Sequence, residues 1–291
     1  MSLSYPMFFT LYTASMLTVA MLGLLVLVRW KNMFLRKTML SVRYNIVYVI
    51  ILIAFPLVIQ AQDIIEKSFA GPGTTREVAY TNWIFSLSGG VIQILQERLN
   101  YAILTNFFII VYAWLFAFLT YFAPVLLLVK DDRLTLRKYA IAISFNYLIL
   151  IPSYALFPVS VTSSYSDSGM IPLLYANPHW GRMVTSIFSL NNDFPSGHVS
   201  LMVTTFLVFA TAGVGYRKFS YFLGASAVAI VVAVLYLGIH WPADVFAGFL
   251  VGIGTTVAAR TDRIQMTIDR WVRSLSEKIF SQEGQRAGAP K

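Results

Sequence analysis

Long apolar stretches constrain the fold of this chain more than any other feature of its sequence. Only 12% of its 291 residues are charged, about half the charge density of an ordinary soluble domain. Several stretches reach the roughly 18 mostly apolar residues that cross a bilayer as a helix. They cover residues 8–28, 44–61, 101–129, 139–156, 199–216, 219–239 and 241–259. The sequence therefore predicts an all-α polytopic membrane bundle of about seven transmembrane helices.

The distribution of basic residues predicts how this bundle is oriented. With the helices placed as above, 18 of the 22 Lys and Arg residues fall on one face. The other face receives Lys67, Arg76, Arg98 and Arg182. Because short cytoplasmic loops are enriched in Lys and Arg, we expect the N-terminus outside and the C-terminal tail in the cytoplasm. The net charge of +9 then reflects the orientation of the chain and its attraction to anionic lipid. Because the basic residues are scattered over short loops, nucleic acid is excluded as a partner.

Three regions follow from this arrangement. Residues 1–100 form an N-terminal two-helix membrane region followed by an external segment, 62–100. In that segment four apolar residues recur at helical spacing (Ile84, Leu87, Val91 and Ile94), which favours an interfacial or re-entrant amphipathic helix weakened by Gly89-Gly90. A plain connecting loop is the alternative. Residues 101–260 form the helical core, and 261–291 form a basic tail.

The tail carries one apolar stripe with basic residues beside it. Ile264, Ile268, Val272, Leu275 and Ile279 define the stripe, a pattern typical of an amphipathic helix lying on the inner leaflet. A seam with a second copy of the chain is the alternative, so the sequence leaves the oligomeric state open.

All three histidines (His179, His198 and His240) fall on the outer face of the predicted topology. His198 ends the motif Phe-Pro-Ser-Gly-His at residues 194–198. Pro195 fixes the chain before a helix start, Ser196 is a good N-cap, and Gly197 lets a ligand approach the backbone. Free amides at this helix start, with the His198 imidazole beside them, suit a bound phosphate.

His240 lies four residues before Asp244 in the motif His-Trp-Pro-Ala-Asp. Pro242 suits the first turn of a helix, and a carboxylate in that turn is favoured by the helix dipole. Asp244 can fix the tautomer of His240, which leaves the far ring nitrogen as a nucleophile on phosphorus. A capping aspartate beside an interfacial histidine, without a catalytic task, is the alternative. The occurrence of both motifs on one face favours catalysis.

A phosphoryl site also needs groups that stabilise negative charge. Arg182 is the only Lys or Arg between Lys138 and Arg217, so it is the candidate phosphate clamp, with a headgroup anchor as its alternative role. His179 is a candidate second donor to substrate. The chain has no cysteine, which excludes thiolate ligands. Three aspartates could offer oxygen ligands (Asp167, Asp193 and Asp244), but no metal-ligand spacing is present, so neither a metal nor another cofactor is predicted.

Residues 194–198 and 235–244 together resemble two motifs of the type-2 phosphatidic acid phosphatase superfamily. There the second motif is Pro-Ser-Gly-His, and the third is Ser-Arg, five residues, His, three residues, Asp. The resemblance covers about residues 101–259. It implies that His240 attacks phosphorus, that Asp244 supports it, that His198 protonates the leaving oxygen, and that no metal is required.

The chain also departs from this superfamily. Ala233-Val234 stands where the third motif has Ser-Arg, and the first motif, Lys, six residues, Arg-Pro, has no match. Lys130 and Arg137 have that spacing, but Lys138 follows and all three fall on the cytoplasmic face. The inositol phosphorylceramide synthase-like branch lacks the third-motif arginine too. Residues 157–159, 177–182 and 194–196 look similar to that branch, whereas Gly197 is typical of the phosphatases.

These features predict an integral-membrane enzyme with an extracytoplasmic site that acts on lipid phosphates through a phosphohistidine. A site with one arginine suits a singly charged diester better than a phosphate monoester, because each unmatched charge in a partly desolvated site is costly. This favours transfer of a headgroup phosphate from a phosphodiester lipid to an alcohol acceptor. The alternatives are a phosphatidate or polyprenyl phosphate phosphatase, with water as acceptor, and a transporter with a histidine proton relay. The apolar middles of the spans count against a transporter.

Overall fold

The computed structural model of the protein describes residues 5–28, 35–69, 73–88, 90–187, 190–272 and 274. Within these ranges the chain is almost entirely helical, and its extended pairing is a single bridge between Val159 and Asn192. The N-terminal helices are α1 (Tyr5–Leu27), α2 (Leu35–Tyr44), α3 (Ile46–Phe69), α4 (Thr75–Ser88) and α5 (Val91–Leu99).

The core helices follow, with short connections except for residues 157–179 between α8 and α9. They are α6 (Ala102–Ile109), a π-helical turn (Ile110–Leu115), α7 (Phe116–Val129), α8 (Arg133–Leu156), α9 (Trp180–Ile187), α10 (Gly197–Ala210), α11 (Arg217–Tyr236) and α12 (Pro242–Ala259). A further helix covers residues 262–272. The connection between α8 and α10 contains α9 and two short 3-10 turns.

Five segments of the described chain are long and apolar enough to cross a membrane: Pro6–Leu27, Ala102–Val129, Arg133–Leu156, Val214–Tyr236 and Pro242–Ala259. Two bent helix pairs raise the number to seven if each counts as one span, namely α2 with α3, bent by 79°, and α4 with α5, bent by 78°. The predicted all-α membrane bundle is therefore confirmed. One predicted span differs, since α10 has only 14 residues. In the segment 62–100, where the sequence predicted an interfacial or re-entrant helix weakened at Gly89-Gly90, the structure has the helices α4 and α5.

Helix α10 lies at the centre of the bundle, packed against α8, α11 and α12. Two glycines of α12 allow the closest of these contacts. A Cβ at Gly248 would lie 2.7 Å from the carbonyl oxygen of Ser196, and one at Gly252 would lie 2.8 Å from that of Ser200. Asn146 of α8 donates 2.8 Å hydrogen bonds to Thr204 and Thr255 in the same interface. This close packing holds the N-terminal ends of α10 and α12 together.

The two ends of the bundle differ in charge. The histidine motifs meet at one end, where the backbone N–H of Ser196 donates to the carbonyl of Asp244 at 3.0 Å. At the other end Lys130 donates to the carbonyl of Gly215 at 3.3 Å, and Tyr216 donates to Asp132 at 3.0 Å. The first turns of α8 and α11 supply basic residues there, as do the residues that follow α12. These basic residues therefore lie at the end of the bundle opposite the histidines.

The helix at 262–272 packs on the bundle through the predicted apolar stripe. Val272 is buried, and Ile264 and Ile268 are partly buried against the core. Asp269 forms an ion pair with Arg137 and accepts a 3.0 Å hydrogen bond from Tyr48. Over this part of the tail the stripe therefore contacts protein, where the sequence predicted lipid. The rest of the predicted stripe, at 275 and 279, lies outside the described residues.

Candidate active site

The loop between α11 and α12 carries His240. Helix α11 ends at Tyr236, and Gly238 turns the chain with a φ of +71°, a conformation that favours glycine. Pro242 then begins α12, and the Asp244 carboxylate accepts a 2.7 Å hydrogen bond from the backbone N–H of Trp241. Asp244 is fully buried and His240 is nearly so. Asp244 thus caps the helix and stabilises the turn that presents His240.

Asp193 approaches the imidazole of His240 more closely than Asp244 does. The Nδ1 atom of His240 lies 2.9 Å from Oδ1 of Asp193 and 3.6 Å from Oδ2 of Asp244. The ring N–H is not aligned with either carboxylate, so these contacts are ion-pair distances and not well-directed hydrogen bonds. The sequence predicted the orienting role for Asp244 alone and Asp193 only as a candidate oxygen ligand. The one sequence feature that could have indicated this role is the position of Asp193, five residues before His198.

Charge and burial act in opposite directions on this pair. Burial lowers the pKa of His240, but the carboxylates of Asp193 and Asp244 outweigh it and raise that pKa to about 10. Burial raises the pKa of Asp193 well above its ordinary value, although the nearby His240 opposes this. The carboxylates therefore favour the imidazolium, in which both ring nitrogens are protonated. Nε2 becomes available for chemistry when the ring loses one proton and keeps the other on Nδ1, beside the carboxylates.

His198 faces His240 from the start of α10. Its ring lies 5.7 Å from the ring of His240, measured between centroids, and packs against Tyr112 at 4.5 Å and Phe116 at 4.4 Å. Both imidazoles also line the same cavity. The two histidines predicted from separate motifs are thus brought to one place.

Ser196 and Gly197 shape the start of α10. The Ser196 hydroxyl accepts a hydrogen bond from the backbone N–H of Val199 at 3.3 Å, which makes it the N-cap. A Cβ at Gly197 would lie 2.7 Å from the Tyr154 hydroxyl, so a larger residue would not fit without a shift. The Ser196 hydroxyl thus engages the Val199 N–H, and the Ser196 carbonyl accepts from the Ser200 N–H. The helix-start amides that neither of these bonds uses are those of Gly197 and His198.

A cavity of about 340 Å³ opens beside both histidines. At the end of the cavity that holds the histidines, the lining residues are His198, His240, Asp193 and Gly197. Six tyrosines contribute to its walls (Tyr12, Tyr112, Tyr121, Tyr147, Tyr154 and Tyr175). None of the described residues that line it is Lys or Arg. Positive charge at this site can therefore come from the imidazoles and from the helix start.

Arg182 and His179 do not line this cavity. Helix α9 contributes its buried residues Met183 and Val184 to the wall, whereas Arg182 is exposed. His179 stacks on Phe8 of α1 with 5.3 Å between ring centroids. The phosphate clamp at Arg182 and the substrate contact at His179 stay predictions, and each requires the side chain to turn toward the cavity.

Asp193, His240 and Asp244 also have the composition of a small metal site. Each offers one ligand atom, and these atoms lie within 4.8 Å of one another. Oδ2 of Asp244 accepts from Trp241 and Oδ1 of Asp193 contacts the imidazole, while Oδ2 of Asp193 and Oδ1 of Asp244 are buried without a hydrogen-bond partner among the described residues. This mutual arrangement fits a histidine oriented by carboxylates, as in triad-type nucleophiles.

Part of the chain matches the model of a known protein family. Residues 155–264 match the model of the PAP2 superfamily. The matched segment contains both histidine motifs, Asp193 and the helices α9 to α12, so the superfamily resemblance drawn from the motifs is confirmed. Neither a curated protein nor a solved structure matches the chain. The inositol phosphorylceramide synthase-like branch stays a prediction.

The PAP2 segment does not build the cavity by itself. Tyr112, Phe116 and Tyr121 come from before it, as do Phe9, Tyr12 and Met16 of α1. The sequence analysis predicted none of these aromatic residues as part of the site, because residues of apolar helices that face a cavity have no distinctive local pattern. Together the apolar helices and the PAP2 match over residues 155–264 indicate an integral membrane protein, and the PAP2 superfamily suggests lipid phosphatase or phosphotransferase activity.

Proposed function

We propose that this protein catalyses metal-independent phosphoryl transfer on lipid phosphates through a phosphohistidine at His240. One observation carries the proposal. Nδ1 of His240 lies against two buried carboxylates, while Nε2 is buried without a hydrogen-bond partner among the described residues. His240 and His198 both line the same cavity. This is the arrangement of an oriented nucleophile facing a proton donor.

The reaction has two steps. In the first, Nε2 of His240 forms a bond to phosphorus, the bond from phosphorus to the leaving oxygen breaks, and His198 gives that oxygen its proton. Burial and the nearby His240 lower the pKa of His198, so this step relies on the negative charge of the bound phosphate to favour protonated His198. In the second, His198 takes the proton of the acceptor hydroxyl, the acceptor oxygen bonds to phosphorus, and the bond between phosphorus and Nε2 breaks. The amides at the start of α10 stabilise the charge on the phosphoryl oxygens.

The charge of the cavity favours a diester donor. A phosphate monoester carries nearly two negative charges at neutral pH and a diester carries one, while the described cavity wall offers no Lys or Arg. Unmatched charge in a buried site is costly. We therefore infer transfer of a headgroup phosphate from a phosphodiester lipid to an alcohol. The second candidate, hydrolysis of phosphatidate or a polyprenyl phosphate with water as acceptor, is favoured by Gly197, the phosphatase-type residue.

The charge of the bundle ends supports an extracytoplasmic site. Basic residues collect at the end opposite the histidines, and Lys and Arg are retained on the cytoplasmic side of membrane proteins. The site then opens at the outer surface and the tail lies in the cytoplasm.

Incubation of purified protein with a panel of phospholipids tests the proposed reaction. Newly made phospholipid in the presence of an alcohol acceptor supports transfer, and free phosphate without any acceptor supports hydrolysis instead. A chelator in the same assay is expected to leave the rate unchanged. Loss of activity with the chelator, restored by a divalent cation, would contradict metal independence and assign the cluster of Asp193, His240 and Asp244 to a metal.

The cavity extends from the histidines toward the middle of the bundle. Its lining on α8 runs from Tyr154 to Tyr147, seven residues along a helix and hence about 10 Å. Apolar groups of α1, α3 and α7 complete this part (Met16, Pro56 and Ala117). A lipid chain fits such a wall better than a headgroup does.

A larger side chain at Ala117 is therefore expected to block the lipid chain. We expect Ala117→Phe to lower kcat/KM for long-chain lipids by about tenfold or more, and to affect short-chain analogues less. Ala225→Phe, on an exposed position of α11, is the matched control. Equal losses on long and short substrates would show that the inner cavity does not hold the chain.

A further inference from the structure

We propose that the α4–α5 hairpin, which lies outside the PAP2 segment, positions the His240 loop for catalysis through Ser160 and Trp241. This inference rests on the function proposed above. It assigns positioning roles to Glu77, Thr81 and Gln96, all three nearly or fully buried polar residues of the hairpin.

The first contact runs from α4 to Trp241, the residue next to His240. Glu77 accepts a 2.6 Å hydrogen bond from the Ser160 hydroxyl, and Thr81 accepts one of 3.0 Å from the Ser160 backbone N–H. The Ser160 carbonyl in turn accepts a 3.0 Å hydrogen bond from the indole N–H of Trp241. Ser160 is thus held on both of its backbone polar groups and on its hydroxyl.

Apolar packing reinforces this contact. Ile84 of α4, Val159 and Trp241 form a separate small cluster in which each is almost completely buried. The ring of Phe85 packs against Trp241 at 5.7 Å between centroids. Because Trp241 is enclosed on these sides, the adjacent His240 has little freedom to move along the loop.

The second contact runs from α5 to the other end of the same loop. The Gln96 amide donates to the carbonyls of Tyr236 at 3.0 Å and of Ile171 at 2.9 Å, and its oxygen accepts from the Ile171 N–H at 2.7 Å. Tyr236 is the last residue of α11. The hairpin therefore holds the chain on both sides of His240, at Tyr236 and at Trp241.

The segment 159–163 links these contacts to Asp193. Val159 and Val161 donate to the carbonyls of Asn191 and Leu190 at 3.0 and 2.9 Å, just before Asp193. Thr162 and Ser163 donate to the carbonyls of Ile239 and Gly238 at 3.3 and 2.8 Å, just before His240. The segment thereby sets the distance between Asp193 and His240, and Ser160 in its middle is the residue held by α4.

Trp241→Phe tests this positioning because it removes the indole N–H and keeps an aromatic ring in the cluster. We expect kcat to fall by about tenfold, as for other groups that orient a ligand or nucleophile without contacting the reacting atoms. KM should stay unchanged. Trp114→Phe is the matched control. It also removes an indole hydrogen bond, the one that Trp114 donates to Ser15 at 2.8 Å, and Trp114 does not line the cavity. Thermal unfolding in detergent checks that both variants fold.

Two further variants keep the test decisive if Trp241→Phe does not fold. Glu77→Gln retains an oxygen that can accept from Ser160 and is expected to keep a higher kcat than Glu77→Ala at similar thermal stability. The double variant Ser160→Ala/Trp241→Phe is expected to show a smaller fold-loss of kcat than the two single fold-losses multiplied together. Both substitutions interrupt the same chain of contacts from Glu77 through Ser160 to Trp241, so their effects are not independent.

The outcomes separate this inference from the proposed function. If the wild-type protein is active and His240→Ala is inactive, but Trp241→Phe and Glu77→Ala both retain kcat within twofold of wild type, the hairpin does not position the loop. If the wild-type protein transfers and hydrolyses no lipid phosphate, the proposed function itself is wrong.

Discussion

Replacement of His240 by alanine is expected to abolish turnover, with a loss of about 10⁴-fold or more. The variant removes the nitrogen that bonds to phosphorus, so neither step of the reaction can proceed through the enzyme. Phosphorus-labelled donor lipid should label the wild-type protein on histidine after rapid quenching, and it should not label His240→Ala. The rate of product formation and the labelled protein are measured in the same samples.

His198→Ala provides the informative comparison for this result. Because His198 acts as proton donor to the leaving oxygen, its loss should slow donors with poor leaving groups most and spare those with good ones. It should still permit some labelling of His240 by an activated donor. Full activity in His240→Ala would contradict the phosphohistidine mechanism, whatever the behaviour of His198→Ala.

Asp193→Asn is expected to lower kcat between about 10²-fold and 10⁴-fold, since an uncharged amide neither fixes the tautomer of His240 nor stabilises its positive charge. The pH dependence should change as well. In the wild-type protein the pKa of His240 is raised by its carboxylates, so the rate should rise with pH above neutrality as Nε2 becomes free. Removal of one negative charge disfavours the imidazolium, which lowers that pKa and moves the rise to lower pH.

Two comparisons make the Asp193 result specific. Asp244→Asn should lower kcat less than Asp193→Asn, because the Asp244 oxygen lies 3.6 Å from Nδ1 of His240. The asparagine keeps a side-chain oxygen that can accept from the Trp241 N–H and cap α12. Asp131→Asn, exposed at the opposite end of the bundle, should have no effect. An Asp193→Asn variant with wild-type kcat and an unshifted pH profile would mean that Asp244 alone orients His240, as the sequence analysis assumed.

The all-α membrane architecture could be predicted from the sequence because its signals are local. A stretch such as 101–129 is apolar over its whole length, and the structure has a continuous apolar helical segment at 102–129. The angles of the bends between α2 and α3 and between α4 and α5 could not be predicted in the same way, although Gly89-Gly90 was predicted to weaken the helix at the point where α4 ends and α5 begins. These angles depend on how each of the two helices packs against the rest of the bundle. The length of α10 was also hidden, because its 14 residues are followed in the sequence by an apolar turn.

The sequence by itself determined the two histidine motifs, because capping residues, prolines and a glycine at fixed spacing have consequences within one or two helical turns. Only the tertiary structure decided which carboxylate lies nearest to His240, which aromatic residues form the cavity, and that Arg182 is exposed. Those outcomes depend on the packing of segments far apart in the chain. A contact such as that of Glu77 with Ser160, 83 positions apart, leaves no local pattern, since it is fixed by the close packing of the whole bundle.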